Sequence, residues 1–497
     1  MVRGMDTLPR VKSAGLRGLT HRTLDRLDQT PRRLIAAGVL LGTLAGALVG
    51  VLIAGTGAAR GGLSSMAAST DEVGATNDLY FRLNDMDAQA ADALLLGFHP
   101  TVEVPASVDA AASVRTYESD RDAADRDLQK IAANVALADP YARLLDALGG
   151  YEALISQALY IDQGQKSQRP AKPPAEALSA YQSASSMMHS SVLPIASAIT
   201  ATDSARVDDQ YAADRGDARI YALLALVAGL LLLAALAAVN WYLARRFRRI
   251  LAPALAAAAL VTLVVAVTGT VALWHVAVQF KIAKQDAFDS INALTRARAV
   301  SYDANADESR WLLDPTAALQ NGFFAKASQI AAVPGVDAAG TTADPGAYYD
   351  GLKSAVSQLQ VNSGANSVVH VRVGGFLGTE LNNVTFPDEA QGAVTTMRDF
   401  EAYVQDDAVI RADANRGDLS GAVAVDIGTR PGESNYAYYQ YDQALTHIIA
   451  INEDAFQAAI ADGQGVLEVW AWLPYVTGAA VLLLVGAGLY PRLREYR

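Results

Sequence analysis

Asp407 and Arg411 stand four residues apart, with Phe400 and Tyr403 just upstream. On a helix this spacing brings carboxylate and guanidinium together, a pairing worth about 0.2–0.5 kcal/mol at a surface. Two readings stay open. The pair is a surface ion pair, or the planar fork of Arg411 grips a carboxylate from a ligand or partner. Gly375, Asn382 and Asn383, in the segment GGFLGTELNNVTFPDE (374–389), are further candidate ligand or partner contacts. Gly374, Gly375 and Gly378 lack the Gly-Lys-Ser/Thr continuation of a phosphate loop, which favours a turn between helices. Asn383-Val384-Thr385 matches a glycosylation pattern.

A second set of polar residues occurs twice. Asp87-Ala88-Gln89-Ala90-Ala91-Asp92 falls on Asp303-Ala304-Asn305-Ala306-Asp307-Glu308 at an offset of 216 residues. Arg82 and Arg298 align at the same offset, as do Arg32-Arg33 and Arg248-Arg249. Asp87, Asp92, Asp303 and Glu308 are expected on solvated helix faces. The constant spacing suggests one unit written twice: membrane helix, outer domain, membrane helix.

Other chemistry finds little support. The six histidines include no pair at i, i+3 or i, i+4, and none has an acidic ligand pattern nearby, so no metal site is expected. Cysteine is absent, which excludes disulfides and thiolate chemistry. No nucleophile elbow or Ser-x-x-Lys set is present, and neither catalysis nor a cofactor is expected.

The elements that must position these residues follow from hydropathy. Leu34–Ala59, Ile220–Ala244, Ile250–Phe280 and Val469–Pro491 are free of Asp, Glu, Lys and Arg. Each exceeds the roughly 20 apolar residues needed to cross a bilayer. Trp241, Tyr242, Trp274, Trp470, Trp472, Tyr475 and Tyr490 stand near their ends as interfacial anchors. A cleaved signal peptide ending at Gly57-Ala58-Ala59 is the competing reading of the first span. With no intramembrane charge, a transporter is disfavoured.

Charge sets the sidedness. Residues 1–33 carry eight bases, 245–249 carry Arg245, Arg246, Arg248 and Arg249, and 492–497 carry Arg492, Arg494 and Arg497. By the positive-inside rule these three segments, and both termini, are expected in the cytoplasm of a bacterial cell. The basic tail 1–33 also has the Val11, Leu16, Leu19, Leu24 and Leu27 pattern of a surface-lying or docking helix. The long segments 60–219 and 281–468 are then extracytoplasmic and hold 48 of the 52 acids, which argues against nucleic acid as a partner.

The first outer segment reads as four helices. The expected order is one continuing from the first span, one over 110–137, one over 141–163, and a last one after the Pro-rich linker 164–175. The last helix follows a coiled-coil-like seam from Ala177 through Tyr181, Ala184 and Met188 to Ala198, with a kink at Pro194. The second segment predicts helices over 276–313, 348–359, 393–414 and 436–462, with loops at 333–347. Val368–Val373 reads as a short strand or a distorted helix. The fold class expected is an all-α membrane protein, with four transmembrane helices and two tandem, internally duplicated outer domains resembling four-helix bundles.

Three stretches carry a family resemblance: AYQSASSMMHSSVLPIA (180–196), GGFLGTELNNVTFPDE (374–389) and RPGESNYAYYQYDQALTHIIAINEDAFQAAI (430–460). With the topology, they resemble the GlnX-type four-span membrane sensors over most of the chain. The resemblance implies amino-acid sensing with an extracytoplasmic glutamine/glutamate-binding lipoprotein, and a signal passed to a soluble cytoplasmic Ser/Thr kinase. It carries over no individual ligand-binding residue, and the linker 164–175 departs from the family pattern. The function expected is a non-enzymatic transmembrane signalling adaptor for an Asp-, Glu- or Gln-related ligand. The alternative is a scaffold organising an envelope complex, and homo-oligomerisation is compatible with either.

Overall fold

The computed structural model describes residues 30–101, 108–132, 138–247, 252–336, 344–362, 366–369 and 372–494. The basic residues of 1–29, Arg248-Arg249 and the loop 337–343 fall outside them. Among the described residues the chain is almost entirely helical. It divides into two compact units, one built from Met1–Gly61, Asp214–Val278 and Gly463–Arg497, the other from Gly62–Ala213 and Gln279–Asp462.

Four helical stretches are long and apolar enough to cross a membrane; three contain an expected span whole, and the third, beginning at Pro253, contains the expected Ile250–Phe280 from residue 253 onward. The first is α1 (Thr30–Leu96). The second belongs to α5 (Leu193–Phe247), the third to α6 (Pro253–Lys281), and the fourth to α14 (Leu473–Arg494). Their buried faces meet through Leu41, Leu52, Leu232, Ala258 and Val485, while Val39, Leu231, Leu260 and Leu483 point outward. Glycine lets the helices close up: a Cβ on Gly478 would stand 2.6 Å from Val49, and one on Gly269 would meet Leu52 at 2.5 Å. Trp470, expected as an interfacial anchor, is instead 6% exposed and packed into this core. The fourth span does not continue smoothly from its predecessor. Helix α13 (Ser434–Trp470) runs through Gly463 and Gly465 and breaks at Ala471–Trp472 before α14 begins.

The second unit contains both long segments between the spans. In the first segment, α1 continues to Leu96 and is followed by α2 (Ala110–Ile131) and α3 (Ala138–Gln163). Then α4 (Ala175–Met187) leads through a π-turn at Met188–Val192 into α5. Four helices are found where four are expected, although α2 stops at Ile131 and 133–137 lie outside the description. Asp109 caps α2 by accepting from the Ala112 amide at 2.7 Å. Gly97 ends α1 in the left-handed region, at φ 68°, where a Cβ would strike the Gln168 side chain. The Pro-rich stretch is no loose linker. Its Gln168 and Ala171 amides donate to the carbonyls of His99 and Leu95 at 2.8 Å each. The π-turn directly before Pro194 is where the expected kink is absorbed.

The second segment is richer than a four-helix bundle. A π-turn at Ile282–Phe288 joins α6 to α7 (Asp289–Leu313). Next come α8 (Ala317–Ile330) and α9 (Pro345–Ser357), capped by Thr316 and Asp344. Strands β1 (Gln360–Asn362) and β2 (Ser367–Val369) pair antiparallel; of the expected Val368–Val373 segment only Val368 and Val369 are strand, and 370–371 lie outside the described residues. Then follow α10 (Gly375–Asn383), α11 (Glu389–Asn415), α12 (Leu419–Asp426) and α13. Helices α8, α10 and α12 are not expected from the pattern; α10 places Gly375 and Gly378 in a helix where a turn is expected. One apolar core gathers Phe323, Phe324, Tyr403 and Tyr441 of the second segment. The other centres on Leu83, Tyr151 and Tyr181 of the first segment but also takes in Trp311, Leu312, Ile410 and Val423 of the second.

Candidate functional site

The two similar phrases meet inside the second unit. Helix α1 brings Asp87 and Asp92, and α7 brings Asp303, Asp307, Glu308, Ser309 and Arg310. Asp303, Asp307 and Arg310 stand at i, i+4 and i+7 and so share one face of α7. The expected solvated acidic faces are not found. Asp87 and Glu308 are fully buried, and Asp92, Asp303 and Asp307 nearly so. Burial is tolerable for Asp87, Asp303 and Asp307 because they are ion-paired, whereas Asp92 and Glu308 have only uncharged donors, serine hydroxyls and the Asn305 amide.

Arg310, 4% exposed, is the hub. Its Nε and Nη2 lie 3.1 and 2.9 Å from Asp87 Oδ2, and its Nη1 and Nη2 each lie 3.1 Å from Asp303 Oδ1. Nη1 also donates to Asp307. Thus Asp87 and Asp303, equivalent positions of the two phrases, hold one guanidinium between them. Helix α8 approaches α7 at Gly322, where a Cβ would stand 3.1 Å from Asp307 Oδ2. One turn later Lys326 Nζ lies 2.6 Å from Asp307 Oδ2 and 2.8 Å from Asp303 Oδ2.

The first segment answers with His189, from the π-turn. Its Nδ1 lies 2.7 Å from the Ser185 carbonyl oxygen and its Nε2 2.9 Å from Asp303 Oδ1. Both neighbours are acceptors, so this geometry suits the doubly protonated ring. Burial works against that charge, but the hydrogen bond and charge of Asp303 outweigh it and raise the His189 pKa. Burial likewise opposes ionisation of Asp303, yet Lys326 and Arg310 hold its carboxyl well below the usual range. Three carboxylates, Asp87, Asp303 and Asp307, therefore face Arg310 and Lys326, and His189 adds a third cation when its ring is doubly protonated.

This cluster forms one wall of a cleft of about 400 Å³. Ser185, His189, Asp307, Arg310 and Lys326 give it a polar side, and Leu178, Leu313 and Leu319 an apolar one. Gln182 Nε2 and Asp314 Oδ2 close its edge at 2.9 Å.

Deeper in, Ser309 Oγ lies 2.6 Å from Asp92 Oδ1 and 2.9 Å from Asp426 Oδ2. Ser434 Oγ donates to Glu308 Oε2 at 3.0 Å, while Glu308 Oε1 has no partner. The other aligned pair, Arg82 and Arg298, flanks the Phe81 ring at 4.7 and 4.2 Å. Arg82 bonds Asp120 at 2.8 Å and Arg298 bonds Asp442 at 2.6 Å.

The Asp407–Arg411 pair is not at the surface. Both residues are buried, and Arg411 Nε donates to Asp407 Oδ2 at 2.8 Å. Tyr349 OH donates to the same oxygen at 2.5 Å, and the guanidinium stacks 4.7 Å over Trp311. Arg411 Nη2 is 2.8 Å from Asp407 Oδ1 but off the hydrogen-bond axis, and Nη1 has no acceptor. Gly375 has φ 75° and no room for a Cβ beside the Gln329 and Ile330 carbonyls. Asn382 bonds back to Gly378 O at 2.6 Å, and Asn383 ties α10 to Ser290 Oγ at 2.9 Å. None of these five residues lines the cleft.

Arg310, Lys326 and His189 escape a motif-based reading because each comes from a different element. The visible signal is a charged face, Asp303-Asp307-Arg310, running directly into the apolar Trp311-Leu312-Leu313.

Residues 62–212 match the family model of the actinobacterial sensor domain. The match fits a sensor protein. It covers Asp87, Ser185 and His189, while Arg310 and Lys326 stand outside it. No curated protein and no solved structure matches the chain.

Proposed function

We propose that this chain is a non-enzymatic transmembrane signalling adaptor. Its outer unit would recognise an amino acid of the Asp/Glu/Gln class, alone or presented by an extracytoplasmic binding lipoprotein, and its cytoplasmic segments would hand the signal to a Ser/Thr kinase. The reading places both termini in the cytoplasm and both outer segments outside. The observation that carries it is the cleft beside Arg310, where Lys326 and His189 hold internal carboxylates at its wall. A ligand carboxylate competes with Asp303 and Asp307 for these cations. Exchange of partners would loosen the link between helices from the two segments, giving the ligand a differential affinity for two arrangements. Helix α1, which carries Asp87, also contributes Leu41 and Leu52 to the membrane unit.

Calorimetric titration of the full chain in detergent with L-glutamate, L-aspartate and L-glutamine tests this, alongside co-purification with and without each. Saturable binding, at least tenfold weaker in Lys326→Met, is expected. Absence of both binding and any ligand-dependent partner would overturn the reading.

A further inference from the structure

A second cavity in the outer unit is larger than the Arg310 cleft, at about 650 Å³, and shares no residue with it. It is lined by Asp71 and Asp78 of α1 and by Glu453 and Asp454 of α13. Phe288, Ile291 and Phe456 supply an apolar floor. None of the four carboxylates forms an ion pair among the described residues.

The nearby cations are committed elsewhere. Lys130 also lines the cavity but bonds Asp127 at 2.9 Å, Arg82 bonds Asp120 at 2.8 Å, and Arg298 bonds Asp442 at 2.6 Å. Partial burial, and then the charges of Asp78 and Asp454, raise the pKa of Glu453. Glu453 is thus repelled by its acidic neighbours, and the charges of Arg298, Arg82 and Lys130 act on Asp78 only from a distance, each cation being bonded to another carboxylate.

Two amides point independently to a missing ligand. Asn77, only 6% exposed, lines the cavity with its Nδ2 unpartnered, and a half-turn of the amide offers Oδ1 instead. Asn292 lines it with an unpartnered Oδ1, an acceptor suited to an ammonium group. A buried amide atom left without a partner costs about 1–3 kcal/mol.

The acids are strung along the cavity rather than convergent. Among the described residues no three His, Asp or Glu side chains gather closely enough to hold a metal ion. Asp71 and Asp78, seven residues apart on one helix face, are separated by about 10 Å along the axis. That length suits the terminal ammonium groups of an extended triamine, whose methylenes would lie along the apolar side of the cavity.

We infer that this cavity is a second ligand site, distinct from the cleft of the proposed function, and that it binds a linear polyamine. Asp71, Asp78, Glu453 and Asp454 take the ammonium groups, and Asn77 and Asn292 take the remaining N–H donors. The test is calorimetric titration of the full chain in detergent with spermidine, and with magnesium chloride at matched ionic strength. Saturable one-to-one spermidine binding that magnesium does not reproduce, weakened at least tenfold in the exposed-site double variant Asp78→Asn/Glu453→Gln, is expected. No spermidine binding, equal binding of magnesium, or undiminished binding in a variant whose melting midpoint matches the parent would overturn it. The L-glutamate titration reads the other cleft, so failure of either site leaves the other measurable.

Discussion

Ser309 has one hydroxyl proton and two carboxylate neighbours, Asp92 at 2.6 Å and Asp426 at 2.9 Å. It can donate to only one, so the other must itself carry a proton and donate to Oγ. Burial pushes Asp92 from 3.8 to about 6, and burial with the charge of Asp92 raises Asp426 well above its ordinary range. Both native pKa values are raised, so the folded state holds protons that the unfolded chain releases. The resulting stabilisation is complete below the unfolded value near 3.8 and is lost as pH rises through about 6 for Asp92, and higher for Asp426. Glu308 has the same sign, as does Glu380, which burial and Glu389 push up to about 8. Asp303 is lowered, so its contribution is complete above the unfolded value and fades only in strong acid. The melting midpoint of the full chain should therefore fall between about pH 5 and about pH 8. Asp426→Asn, which keeps a neutral side chain there at every pH, should flatten that slope and raise the midpoint at the alkaline end. A flat parental profile, or an unchanged slope in the variant, would show that the carboxylates do not share a proton in this way.

At the scale of elements, glycine placement separates packed from open helix faces in the membrane unit. Gly269 has no space for a side chain between Leu52 and Trp470, whereas Gly50 has nothing within 4 Å. Gly269→Leu should cost about 1–3 kcal/mol through overpacking and broaden or split the gel-filtration peak in detergent, while Gly50→Leu should leave it intact. Equal behaviour of the two variants would refute this packing. The helices themselves were legible in the sequence wherever period and length agree: the four spans, α1, α3 and the seam of α4 into α5. The short α8 and α12 were not, because each is a local helix that closes over a core built by distant residues, Phe323–Tyr403 in one case and Val423 with Leu83's cluster in the other. The site was half legible. The similarity of two phrases 216 residues apart named Asp87 and Asp303 but gave them the wrong environment. Helical periodicity assigns a face to each residue but cannot say that two charged faces will be turned toward each other and closed around Arg310.

At the scale of the molecule, the two long segments between the spans behave as one unit because they share both apolar and ionic contacts. Trp311, Leu312 and Val423 of the second segment enter the core of the first, and Asp87 of the first holds Arg310 of the second. Replacing one member of such a buried network is strongly destabilising, about 3–5 kcal/mol, since uncompensated charges stay behind. In Arg310→Met the carboxylates of Asp87, Asp303 and Asp307 lose their shared cation, and both segments should feel it. Hydrogen exchange measured peptide by peptide on the full chain in detergent reads this most directly. The account predicts faster exchange in Arg310→Met over residues 80–96 of the first segment and over 299–330 of the second, by comparable factors. Loss of protection confined to 299–330, with 80–96 unchanged, would contradict it.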